Sequence, residues 1–85
     1  MTQYTVAYGG TTQADLALIW LNSLDRSAVT RASNAIDAQL KFDASQKGQL
    51  VSEGLRQLEV TPLIVQFTVD EGGRIVTVWT IREQH

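Results

Sequence analysis

Apolar and polar positions change period along the chain. Residues 3–8 alternate, with Tyr4, Val6 and Tyr8 separated by polar or small residues. That is the period-two pattern of a half-buried strand. Gly9 and Gly10 end it. Thr12 followed by Asp15 marks a helix start of the capping-box kind, with an acid shorter than the usual Glu. Ala14 to Leu21 is dense in helix formers and apolar groups, and Leu16, Ile19 and Trp20 are spaced to share a face. Asn22–Ser23 breaks the run. A second helix is expected to start near Asp25 or Ser27, both good N-caps. Val29, Ala32, Ile36 and Leu40 form its apolar stripe, while Arg26, Thr30, Asn34, Asp37 and Lys41 mostly face water. The short link predicts an antiparallel helix hairpin. The second helix should fray near Phe42–Asp43, and residues 44–48 read as a polar loop.

The last third returns to period two. Arg56, Leu58 and Val60 fall on one face, Gln57 and Glu59 on the other. Thr61–Pro62 turns the chain. Leu63, Val65, Phe67 and Val69 then alternate with Ile64, Gln66 and Thr68, Asp70–Gly73 reads as a hairpin turn, and Ile75–Ile81 as the final strand. The hairpin register stays open. A three-residue loop pairs Val65 with Trp79, a two-residue loop pairs it with Val78 or Thr80, and a one-residue slip exchanges the faces. The predicted fold is α+β: an N-terminal strand, an antiparallel helix hairpin, then a three-stranded antiparallel meander (β-α-α-β-β-β). The helices should cover one face of the sheet, because each is apolar on one side, and leave the other face partly open.

Length and composition narrow this further. The chain has 85 residues, 44% of them hydrophobic. That suits a single domain spanning residues 1–85, in which folding buries only about 60–65% of the unfolded surface. Seven Lys and Arg against nine Asp and Glu give a formal charge of −2. A free-standing nucleic-acid binder usually carries a basic surface. Cysteine is absent, which excludes disulfide scaffolds, zinc fingers and thiol nucleophiles. No apolar run approaches the roughly 18 residues of a membrane span, and Met1–Tyr4 lacks the basic and apolar regions of a signal peptide. A cytoplasmic location without membrane attachment is the expectation.

Candidate chemistry is sparse. Gly9–Gly10 lacks the dinucleotide and Walker patterns, and Gly72–Gly73 belongs to the hairpin. No metal site and no cofactor are expected: the only histidine is His85, with no Cys or second His to share an ion. Among the carboxylates, Glu53 alone lies beside the expected sheet face. The arginines say more. Arg56 opens a strand beside Leu58 and Val60, while Arg74 and Arg82 bracket the last strand with the same parity. An arginine beside an apolar sheet face can hold a phosphate or a partner's carboxylate through paired hydrogen bonds. Residues 49–85 nevertheless hold three arginines, no lysine and five acids, a poor balance for grasping a polyanion. Trp20, Trp79 and Phe67 read as core rather than as base-stacking platforms.

The segment order and several local phrases resemble the small toxins of the RelE/ParE superfamily, from type II toxin–antitoxin systems. The resemblance runs through Tyr4–Val6, Ala14–Trp20, Arg31 to Asp37 with Leu40, Gly48, Glu53–Leu58, Pro62–Val65 with Phe67, Val69–Asp70 and Arg74–Val78. It implies a helix hairpin on a twisted antiparallel sheet, a cognate antitoxin that wraps the toxin and blocks its working face, and a role in plasmid stabilisation. Two activities dominate the superfamily: ribosome-dependent cleavage of messenger RNA, and poisoning of DNA gyrase. For the RNA-cleaving branch, the resemblance places Arg56 and Arg82 at basic positions and His85 as a terminal proton carrier. Arg74, Lys47 and Glu53 are candidates for phosphate or partner binding. The chain departs from that branch in carrying Pro62–Leu63 where an aromatic–arginine pair often opens the strand. It also has no tyrosine after Tyr8, no helix pattern after the last strand and no lysine beyond Lys47. A third reading is a non-toxic member acting by partner binding alone.

Overall fold

A computed structural model describes residues 2–84; Met1 and His85 lie outside the described residues, and with His85 the expected terminal proton carrier. The chain runs β1 (Thr5–Tyr8), α1 (Thr12–Asn22), α2 (Arg26–Leu40), β2 (Gln49–Ser52), β3 (Leu55–Val60), β4 (Leu63–Asp70) and β5 (Ile75–Glu83), with a short 3-10 turn at Ala44–Gln46. The strands form one five-stranded sheet in the order β1-β5-β4-β3-β2. β1 runs parallel to β5, and the other pairs are antiparallel. The meander therefore has one more strand than the alternation predicted. β2 is exposed along its whole length, so it carries no inward-facing apolar rhythm to announce it.

The helix hairpin connects the two edge strands and so must cross the sheet. α2 lays Val29, Ala32, Ile36 and Leu40 into the core, as its stripe predicts. Asp25 caps it by accepting from the Ala28 N–H at 3.0 Å. α1 starts differently from the expected capping box. Thr11 is the N-cap, and its hydroxyl donates to Asp15 rather than accepting from the backbone. Thr12 is buried, and its hydroxyl donates to the Gly9 carbonyl at 2.8 Å and reaches the Val78 carbonyl at 3.4 Å. It ties the first turn of α1 to β5. Arg26 closes the other end of α1: its Nε donates to the Trp20 carbonyl (3.1 Å) and its Nη2 to the Leu21 carbonyl (2.9 Å), with the guanidinium 4.8 Å from the centre of the Trp20 ring. Such bonds satisfy carbonyls that a helix end leaves unpaired.

The core lies between the hairpin and one sheet face. Leu58, Leu63, Val65, Phe67, Val76, Val78 and Ile81 point into it. β3 and β4 alternate as the sequence predicts. The β4–β5 register matches neither expected loop. Asp70 pairs with Ile75 and Phe67 with Val78, then a bulge shifts the register so that Val65 meets Ile81. The turn is longer than predicted. The Asp70 carboxylate accepts from the Gly73 N–H, and Arg74 takes a left-handed φ of 52°. Trp79 is the extra residue. The bulge lets Val78 and Ile81 both face inward while Trp79 and Thr80 both face out. It also breaks the parity argument for Arg74 and Arg82: Arg74 belongs to the turn, and Arg82 falls on the outer face.

Of the three aromatics expected in the core, only Phe67 is there. Trp79 is half exposed on the outer face, its indole N–H donating to Thr68. It leans over Gly9, where a Cβ would come within 2.8 Å of the ring. Trp20 is 39% exposed and donates to Thr30 at 3.1 Å.

Candidate functional site

The fold divides the candidate residues. Lys47, Glu53, Arg56 and Arg74 gather at one end of the sheet, where the β2–β3 and β4–β5 turns and the end of α2 meet. Arg82 stands toward the other end. Arg56 pairs with Phe67 on the helix-covered face. Arg82 pairs with Ile64, which is buried yet outside the main core because it faces the other way. Arg56 and Arg82 thus point to opposite faces.

At the gathered end, Arg56, Val69 and Glu71 line a cleft of about 190 Å³ with Ser45, Leu50 and Gly54. The Arg56 Nε donates to the Lys47 carbonyl at 2.8 Å and its Nη2 to the Gly48 carbonyl at 3.4 Å. These bonds hold the guanidinium against the loop before β2. Gly48 allows the approach: its φ is 65°, and a Cβ there would collide with the Gln57 carbonyl. Glu71 is held from the other side by Tyr4, a buried phenol that donates to its Oε2 at 2.8 Å. A hydrogen bond with Ser45 pulls the Tyr4 pKa down. The bond to Glu71, desolvation, and the charges of Glu71 and Asp43 push it up, and the net is above the ordinary 10.0. The cleft can present a fixed cation and a fixed carboxylate to a small polar group. Sequence reading missed Tyr4 and Glu71: Tyr4 reads as core and Glu71 as turn, and only the register brings them together.

The larger hollow lies on the hairpin. Between α1 and α2 a groove of about 510 Å³ is lined by Leu16, Ala17, Trp20, Leu21 and Val29, with Gln13, Thr30, Ser33 and Asn34 at its rim. Across Trp20 and Thr30 it adjoins a second hollow of about 360 Å³ holding Arg26, Ser27 and Arg31. On the other flank of α1, Leu18 and Ile19 face Ile81 and Arg82 across a hollow of about 410 Å³. β1 pairs with β5 only from Ile75 to Val78. Beyond Val78 the edge of β5 borders that hollow. α1 is apolar nearly all round, yet its Leu18 and Leu21 are mostly exposed, as is Leu24 in the link that follows it. A helix of that composition is normally buried. Among the described residues, no helix is long and apolar enough to cross a membrane.

This geometry has known counterparts. Chains of three solved structures share the fold across nearly the whole protein. A chain of the toxin–antitoxin complex RelBE2 from Mycobacterium tuberculosis superposes with a TM-score of 0.78 at 17% identity, covering 99% of this chain and 94% of that one. A chain of the chromosomal ParDE toxin–antitoxin system from P. aeruginosa gives 0.69 at 20% identity, with 98% of each chain covered. A conserved hypothetical protein from Helicobacter pylori, solved in solution, gives 0.61 at 13% identity, over 94% and 93%. No family model and no curated protein matches the sequence. The protein shares the α+β fold of these three chains, two of them from toxin–antitoxin systems.

Proposed function

We propose that this chain is the toxin component of a type II toxin–antitoxin pair, held inactive by a cognate antitoxin. The observation that carries this reading is the fold, shared end to end with chains from two toxin–antitoxin systems. The exposed apolar surface of α1 supports it, since such a surface calls for a protein cover.

Of the two activities, poisoning of a protein target such as DNA gyrase fits the surface better. Arg56 and Arg82 face opposite sides of the sheet, and two of the Arg56 donor nitrogens already bond main-chain carbonyls. The chain is acidic, so a polyanionic substrate gains little from it. Ribosome-dependent messenger RNA cleavage retains one specific observation, the cleft shared by Arg56 and Glu71. There Arg56 would stabilise charge on the phosphate, Glu71 would take the 2′-hydroxyl proton, and the leaving oxygen would need a separate proton donor.

The test is pulse-labelling after controlled induction in a bacterial host, with and without the product of the neighbouring reading frame. Thymidine incorporation falling first, and recovering with the neighbour present, supports the gyrase reading. A prompt fall in amino-acid incorporation that Arg56→Ala abolishes moves the activity to RNA. No fall in either, in cells that accumulate the protein, overturns the toxin reading.

A further inference from the structure

We infer that the free edge of β2 is a self-association surface, on which a second copy of this chain adds its own β2 antiparallel about a two-fold axis through Leu50. The inference stands apart from the toxin reading and does not need it.

β2 is the open end of the sheet. It pairs only with β3, and none of Gln49–Ser52 makes a main-chain hydrogen bond outside that pair among the described residues. A strand so placed leaves a row of donors and acceptors facing water, a template for another strand. The opposite end of the sheet is better covered. Just before β1, Gln3 bridges Phe42, and the Tyr4 N–H donates to the Lys41 carbonyl at 2.7 Å. Edges are usually blunted by charge or proline. Gln49, Leu50, Val51 and Ser52 carry neither, and Leu50 is 63% exposed. The bulge at Val51 is the one blunting device, and it limits a new ladder to the residues beside the axis.

The occupant follows from the flanking charges. Lys47 and Glu53 stand three residues to either side of Leu50. Neither side chain makes a hydrogen bond or ion pair among the described residues. Residues opposite each other in an antiparallel pair aim their main-chain groups the same way. A strand paired with its own copy therefore centres on a residue, not between two. Centred on Gln49, the pairing sets Lys47 against Val51. Centred on Val51, it sets Gln49 against Glu53 and Lys47 against Leu55. Centred on Leu50, it sets Lys47 of each copy against Glu53 of the other, and Leu50 against Leu50. Only this axis matches both charges, and the two-fold makes the match twice. A strand of another protein has no reason to carry that spacing, whereas a second copy carries it by construction. Leu50 also lines the cleft of Arg56 and Glu71. Opposite residues share a sheet face, so pairing brings a second leucine to the rim of that cleft.

So short a ladder buries less than a standard interface of about 1,200 Å², and half-association is expected on the order of 0.1 mM. The test is sedimentation equilibrium of the purified chain at low salt, up to about ten times that concentration. The mass should rise from monomer to dimer, and high salt should weaken the dimer. Lys47→Glu and Glu53→Lys each turn two attractions into two repulsions, so each should weaken it by about tenfold. An equimolar mixture of the two variants restores both pairings and should recover the wild-type dimer. A variant that had lost its fold could not recover in this way. The chain has no cysteine, so Leu50→Cys introduces a single thiol. On the axis it should oxidise to a linked dimer, and Leu18→Cys, exposed on α1, should do so far more slowly. A monomer at every concentration, with both cysteine variants oxidising alike, overturns the inference. A dimer that ignores the charge reversals, or that the mixture fails to restore, places the contact elsewhere and overturns it too.

Discussion

Arg74 sits at φ 52°, and Gly48 at φ 65° with the Gln57 carbonyl where a side chain would begin. The two positions answer mutation oppositely. Left-handed backbone costs a non-glycine residue about 1 kcal/mol, so Arg74→Gly should raise the unfolding free energy by up to about that amount, read as a higher denaturation midpoint at unchanged slope. An arginine kept where glycine would be more stable is compatible with a surface role for its guanidinium. Gly48→Ala should destabilise by more than the Arg74 change stabilises, because backbone strain and a steric collision act together. In the core, Phe67 is fully buried among Val65, Val78 and Ile36. Truncating it to Ala should cost about 3–5 kcal/mol, a large share of the stability of a domain this small. Equilibrium unfolding in urea reads all three.

At the scale of elements, the two helices differ in what holds them. α2 is fixed by a stripe pressed into the core. α1 presses only the half-buried Leu16 and Ile19 against the core and is fixed also at its ends: Thr12 ties its start to β5, and Arg26 bonds its last carbonyls and lies against Trp20. Arg26→Ala should therefore loosen the end of α1 without melting the domain. Amides of Trp20–Asn22 should lose hydrogen-exchange protection while those of α2 keep theirs, and Trp20 emission should shift to the red. Equal loss in both helices would mean that the hairpin opens as one unit. On β5, the bulge at Trp79 serves the core: it keeps Val78 and Ile81, three residues apart, both inward.

For the whole molecule, β1 is clipped to α2 as well as to β5. The Tyr8 hydroxyl reaches the Asp37 carboxylate at 3.4 Å, and Asp37 pairs with Lys41 at 3.1 Å. Burial of the Tyr8 phenol, then the Asp37 charge and the hydrogen bond, raise its pKa above 10.0. Tyr4 is raised as well. Below the ordinary tyrosine value both phenols are protonated in the folded and unfolded chain, and their contribution is fully present. Above it the unfolded chain releases protons that the folded chain retains, and stability is lost as pH rises through the folded values. Thermal melts should therefore fall steeply above about pH 10, and Tyr8→Phe should flatten that fall. The same whole-molecule view predicts expression behaviour. With Leu18 and Leu21 on α1 and Leu24 just after it open to water, soluble yield should rise on co-expression with the product of the neighbouring reading frame, as the toxin proposal expects. Equal yields with and without it would count against a covered α1.

The chain's own pattern determined the order of the helices and of every strand but β2, the buried stripe of α2, the alternation of β3 and β4, and the shared face of Arg56, Leu58 and Val60. Each rests on a period of two or between three and four residues, and burial of one face reinforces that period at every step. Tertiary structure alone decided the fourth strand of the meander, the hairpin register and the outward turn of both tryptophans. β2 buries no face and so has no period to read. The register was set by a turn that Asp70 and Arg74 lengthen, and by a bulge that restores the inward face beyond it. The same register set Arg56 and Arg82 apart and brought Glu71 to Tyr4, because which side chains meet across a sheet depends on pairing between strands distant in sequence.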